Sequence, residues 1–180
     1  PFGNTSDTVG GIRTLLCEIF TMTTQAPTVE TLSTFQDADG EETITASHVD
    51  VIETVISSMD PDGTAMVNHS EGGHLWKFQY GSVEVYVQLT GETDDDTLTT
   101  WSPVHKLPVQ NEAEMMRKLL GMNCGGTFEA CFGLLDQSVV VFATRTLKDI
   151  NPSEIARLMT IVASIADDND ADLLNNYPAA

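Results

Sequence analysis

The stretch from His74 to Leu89 constrains this chain more than any other, because its side chains alternate without a break on both sides of one tight turn. Trp76, Phe78 and Tyr80 share one parity, while Lys77 and Gln79 share the other. After Gly81-Ser82, the residues Val83, Val85, Val87 and Leu89 alternate with Glu84, Tyr86 and Gln88. A period of two belongs to a strand, whose successive side chains point to opposite faces. Two residues beginning with Gly suit a type II′ hairpin, in which Gly supplies the positive φ at the first central position. The segment therefore predicts an antiparallel sheet with one packed face and one wetter face.

The flanking segments extend this sheet and add helices. Ile52, Val55, Ile56 and Met59 have helical spacing, with Thr45 or Ser47 as N-cap, and Asp60-Pro61-Asp62-Gly63 ends the helix. Thr64 to His69 is a short strand closed by Ser70-Glu71-Gly72-Gly73. Gly91 to Thr97 is an acidic loop. Leu98 to Val104 is extended, but Pro103 and Pro108 argue against a long central strand there, since Pro donates nothing to a ladder.

A second helix is expected over about residues 110–122, with Asn111 as its cap. Its apolar residues Ala113, Met115, Met116, Leu119, Leu120 and Met122 cover more than one face. A one-sided surface helix needs a narrower stripe. The helix is thus expected between its own sheet and a second surface, with Met115, Met116, Leu119 and Met122 as the partner-binding or dimer surface and the first two foremost.

Gly125-Gly126 breaks the chain, after which Phe128, Ala130, Phe132 and Leu134 alternate as a strand, and Val139 to Ala143 reads as its more buried partner. The last helix opens on Asn151 as cap, Pro152 at N1 and Glu154 at N3, with Ile150 placed to staple to Ile155. Asp167, Asp168, Asp170 and Asp172 would sit badly at a helix C-terminus, where the dipole favours cations. The helix either runs on through Leu173 and Leu174 or breaks into a short last turn. The expected fold class is α+β, an antiparallel sheet with helices packed on it, in the order α-βββ-α-ββ-α.

At 180 residues the chain fits one sizeable core. Residues 23–45 are rich in Thr, Ser, Asp, Glu and Gly and read as a flexible lead-in. Residues 1–21 read as an upstream extension or appended tail, because Met22-Thr23-Thr24-Gln25 resembles an ordinary start. The expected organisation is a flexible or appended segment over residues 1–46 and a single domain over residues 47–180.

Charge narrows function. The chain has 27 Asp and Glu against 8 Lys and Arg, a formal net charge of -19. Nucleic acids and anionic membrane surfaces are bound mainly through Lys and Arg, so neither is an expected partner. Basic segments of other proteins are compatible with it. Cys17, Cys124 and Cys131 form no CxxC pair, which fits a reducing, cytoplasmic setting. No apolar run approaches a membrane span.

Chemistry-bearing motifs are not in the pattern. His48, His69, His74 and His105 make no HxxxH unit and stand apart from the cysteines, so no metal site is expected. Asp60-x-Asp62 with Glu71 imitates a calcium loop, but Ala65 stands where the sharp turn needs Gly. Asp94-Asp95-Asp96 reads as a solvated loop. There is no nucleophile elbow, Walker loop or dinucleotide fingerprint, and no cofactor is expected.

The hairpin from His74 to Leu89, the run Leu119-Leu120-Gly121-Met122-Asn123 and the ending Ala163-Ser164-Ile165-Ala166-Asp167-Asp168 resemble the YbjN family. The resemblance spans roughly residues 47–177. It implies the fold of type III secretion chaperones, which are small, acidic, often dimeric proteins that bind extended client segments. YbjN-like proteins are described as sensory-transduction regulators, and the family supplies no catalytic motif to carry over.

The expected function is a non-enzymatic, cytoplasmic, chaperone-like or regulatory module that binds another protein and forms a homodimer. The alternative is a small-molecule sensor holding a ligand between sheet and helices near Trp76 or Phe132. A third class is an enzyme using paired carboxylates or Cys124.

Overall fold

A computed structural model describes residues 47–70 and 73–180, so the expectations for the first 46 residues lie outside the described residues. The elements are α1 (His48–Met59), β1 (Met66–Ser70), β2 (Gly73–Tyr80), β3 (Val83–Leu89), β4 (Thr97–Lys106), α2 (Glu112–Met122), β5 (Cys131–Leu135), β6 (Ser138–Thr146) and α3 (Pro152–Asn176). The strands form one six-stranded sheet in the order β1-β2-β3-β4-β6-β5, with every neighbouring pair antiparallel. The fold is α+β, as the sequence pattern and the family resemblance imply.

The hairpin forms as its alternation dictates. Tyr80 pairs with Val83 across a two-residue turn, and Gly81 takes φ +52. Trp76, Phe78, Val83, Val85, Val87 and Leu89 are buried on one face of the sheet. That face joins Ile52 and Ile56 of α1, Met115 and Leu119 of α2, and the apolar side of α3 in one core.

The opposite face is less wet than its polar residues suggest. Lys77, Tyr86, Trp101, Phe142 and Cys131 form one cross-strand row. Tyr86 and Trp101 stack at 5.3 Å between ring centroids, the Lys77 ammonium lies 5.7 Å from the Tyr86 ring centre, and both aromatics are buried. Burial, and then the Glu84 carboxylate, push the Tyr86 hydroxyl above its ordinary pKa.

Two expectations about the strands need correction. β4 is ten residues long and central, so the order is α-ββββ-α-ββ-α. Pro103 is tolerated because the β3 ladder ends at Tyr86–Trp101, before it, and the β6 register shifts between Pro103 and His105. A bulge in one ladder, or a stretch past the end of another, is where a missing N–H costs least. Beyond that point the Ser102 hydroxyl donates to the Glu84 carbonyl at 2.8 Å. Second, β5 begins at Cys131, and Phe128 lies in a turn with φ +52 rather than in a strand.

The helix ends follow their local chemistry with one exception. Ser47 and Asp50 form a capping box on α1, and Asn151 and Glu154 form another on α3. Asn111 precedes α2 but sits in the left-handed region, φ 57, without a side-chain cap hydrogen bond. α3 runs on to Asn176, and Asp167, Asp170 and Asp172 have partners elsewhere. Asp167 accepts the Ser82 amide at 2.7 Å, and the Ser82 hydroxyl lies 2.8 Å from one oxygen each of Asp167 and Asp170. Asp172 pairs with Lys118 of α2, which holds its carboxyl below the usual range. Carboxylates anchored to a turn and to another helix offset an unfavourable position along the dipole.

Candidate protein-binding surface

The expected partner face of α2 divides when its side chains are placed. Met115 and Leu119 are 0% and 3% exposed and belong to the core of the chain itself. Met116 and Met122 are half-buried against that core, whereas Leu120 is 65% exposed. The wide apolar stripe thus serves two surroundings, with its inner part fixing α2 to the sheet and its outer part facing water.

Of the three large apolar side chains exposed later in the chain, Leu174 stands on α3 and the other two follow α2. Phe128 is 80% exposed and Leu134 53% exposed. Together with Leu120 they lie along the last turn of α2, the loop after it and the edge strand β5. Gly126 donates its amide to the Met122 carbonyl at 2.8 Å, and Ala130 donates to the Thr127 carbonyl at 2.9 Å. These turns leave Phe128 at φ +52, a region that a bulky residue enters at a cost. An aromatic ring held in water by strained backbone gains little from the fold, which points to a use outside it.

Asn123 braces this surface. Its side-chain oxygen accepts the Phe132 amide at 2.8 Å and its side-chain NH2 donates to the Phe132 carbonyl at 3.1 Å. The amide group therefore acts as a one-residue partner strand on the outer edge of β5, occupying groups that would otherwise invite pairing. Arg157 of α3 makes a two-point contact with Glu129, at 2.9 and 3.2 Å, beside Phe128 in sequence. That contact lowers the Glu129 pKa and raises that of Arg157.

At the other edge, β1 exposes Met66 (70%) and Val67 (43%) on a five-residue strand. The remaining chemistry-bearing residues are dispersed. His48, His74 and His105 stand on α1, β2 and β4, and the His105 Nε2 lies 2.6 Å from the Tyr177 carbonyl. Asp60 caps α1 and accepts from the Thr64 hydroxyl at 3.1 Å, which makes the Asp60-x-Asp62 motif a helix-terminating turn. Cys124 is exposed and its thiol contacts the Leu120 carbonyl, while burial pushes the Cys131 thiol up. Trp76 and Phe78 are core residues. Among the described residues no helix is long and apolar enough to cross a membrane, and no group of three His, Cys, Asp or Glu is arranged to hold a metal ion.

The model of the YbjN family, described as "Putative bacterial sensory transduction regulator", matches residues 48–175. The chain belongs to the YbjN family. The match begins at the start of α1 and ends one residue before the end of α3, so the YbjN region coincides with the sheet and its three helices. No curated protein matches the chain. A chain in the crystal structure of the ExsC-ExsE complex is similar to it at 14% identity and a TM-score of 0.43, over 70% of this chain and 96% of that one.

Apolar spacing puts Leu120 in the broad stripe of α2 and Leu134 in a strand, both as found, but it also extends that strand to Phe128, which lies in a turn. Gly125-Gly126 was the signal that could have marked Phe128 as a turn residue. Nothing local signals the exposure of Leu134.

Proposed function

We propose that this YbjN protein is a non-enzymatic, cytoplasmic, chaperone-like or regulatory module that binds another protein. An apolar segment of the partner rests against Leu120, Phe128 and Leu134. Met116 and Met122 form the adaptable border of that surface, and Met115 and Leu119 hold it from beneath. The observation that carries this reading is Phe128, an aromatic side chain 80% exposed on a backbone with φ +52. Large exposed apolar groups are a recurring feature of protein-binding surfaces. The net charge of -19 favours basic residues flanking the partner's apolar anchor. The same surface is available to a second copy of the chain.

Co-purification from native lysate tests the reading. Phe128→Gly and Leu134→Ser should lose a specific partner that the wild type retains at moderate salt, while both variants stay folded. Recovery of the same partner by the variants, or of none by the wild type across salt conditions, would overturn it. Light scattering at high concentration reads the homodimer, and a strictly monomeric mass removes it.

A further inference from the structure

We infer that the cleft between the outer end of the sheet and α3 is a binding site for a small apolar carboxylate. The cavity has a volume of about 270 Å³ and lies between the β5–β6 side of the sheet and α3. Its apolar wall is formed by Ala130 and Ala143 from the sheet side and by Leu158 and Ile161 from the helix. Ala143 follows Val139 and Val141 on the core face of β6, and Ala130 precedes Phe132. Ala143 in β6 and Ala130 just before β5 are both buried and line the cleft with small side chains.

The rim carries two ion pairs, and their hydrogen bonds decide the sign of the ligand. Glu154 accepts from Arg145 Nη2 at 2.9 Å, from the Asn151 amide at 3.2 Å and from Asn151 Nδ2 at 2.9 Å. Glu129 accepts twice from Arg157. Both carboxylates are therefore engaged, one of them in a helix cap. A guanidinium has five N–H donors, and these contacts use one on Arg145 and two on Arg157. The guanidiniums therefore keep more free donors than the carboxylates keep free acceptor sites, in a fork geometry suited to a carboxylate.

Two of the eight Lys and Arg of a very acidic chain line this one cavity. At physiological salt the repulsion from distant acids is screened beyond about 8 Å, so the rim's own two arginines and two glutamates decide. The cavity is smaller than most drug-sized sites, which limits the ligand to roughly six to ten non-hydrogen atoms. A short aliphatic acid meets every condition, with its tail on the alanines, Leu158 and Ile161 and its head at the arginines.

Titration of the full chain with hexanoate, followed by calorimetry and by amide shifts, tests the site. Saturable binding with shifts at Ala143, Leu158 and Ile161 is expected. Hexan-1-ol, which lacks the charge, and acetate, which lacks the tail, should each bind about tenfold more weakly or worse. Arg157→Gln and Arg145→Gln should weaken hexanoate about tenfold while leaving the melting temperature nearly unchanged, since both ion pairs are half-exposed. Ala143→Val should block the tail, and Phe128→Gly should leave binding intact, which separates this site from the protein-binding surface. The inference is overturned by no saturation, by shifts elsewhere, by hexan-1-ol matching hexanoate, or by arginine variants that bind normally. Leucine binding more tightly than hexanoate would also overturn it, because the glutamates would then be recognising an ammonium group.

Discussion

Phe128 shows how a single residue can oppose the fold that carries it. Its backbone occupies the left-handed region, where Gly is comfortable and a bulky residue is strained, and its ring is 80% exposed. Replacing it by Gly removes the strain and forfeits little burial. Phe128→Gly is therefore expected to raise stability, by up to about 1 kcal/mol in urea unfolding, while abolishing partner recovery. A loss of stability would mean that the ring contributes to the fold, and would remove the main support for a partner surface. Gly81 illustrates the reverse case. It has φ +52, and a Cβ there would stand 2.1 Å from an Asp167 oxygen, so the same backbone region is occupied without strain and the turn can approach α3. The sequence pointed to Gly81 because hairpin chemistry is local. It concealed Phe128 because an alternating pattern continues through the turn.

Elements are joined here by polar side chains as much as by the core. α2 ends where Asn123 turns back onto β5, with both of its hydrogen bonds made to the Phe132 backbone. Asn123→Ala leaves a backbone donor and acceptor without partners beside the buried Phe132, and should cost about 1–3 kcal/mol. Urea unfolding measures the loss, and hydrogen exchange at the Phe132 amide should accelerate in the same variant. Unchanged exchange there would show that the edge is protected by something other than Asn123. The Ser82 contacts with Asp167 and Asp170 play a comparable part for the hairpin and α3. These acids looked misplaced in the sequence, since a helix end prefers cations. Their partners lie more than eighty residues away, so no local rule could have found them.

At the scale of the molecule the dominant quantity is charge. A net charge of -19 opposes compaction, and salt screens that repulsion. Thermal stability at pH 7 should rise as salt is added, and this response should fade near the isoelectric point, about pH 4.1. Acid acts in two opposed ways. Lowering the pH towards 5 relieves repulsion. Asp96, held low chiefly by the Thr93 hydroxyl, and Asp172, held low by Lys118, work in the other direction. A carboxyl with a depressed pKa in the folded state contributes stability above its ordinary value, about 4, and loses it as pH falls through the folded value. The melting temperature at fixed ionic strength should therefore peak below neutrality and drop below about pH 4. A monotonic fall from pH 7 would show that repulsion is not limiting.

The sequence by itself determined the hairpin, the capped start of α3, the antiparallel α+β class and the alternation that puts Trp76 and Phe78 on one face of their strand and the β3 valines on one face of theirs. Each of these follows from spacing, turn chemistry or capping within a few residues, where backbone sterics and side-chain periodicity decide. Only the tertiary structure decided that Leu98 onward could be a central strand, because Pro103 is tolerated through the point at which the β3 ladder ends and the β6 register shifts. It also decided which apolar residues of the α2 stripe stay in water and where two alanines line a cleft. Burial depends on which distant element covers a side chain, and that information is not local to the residue.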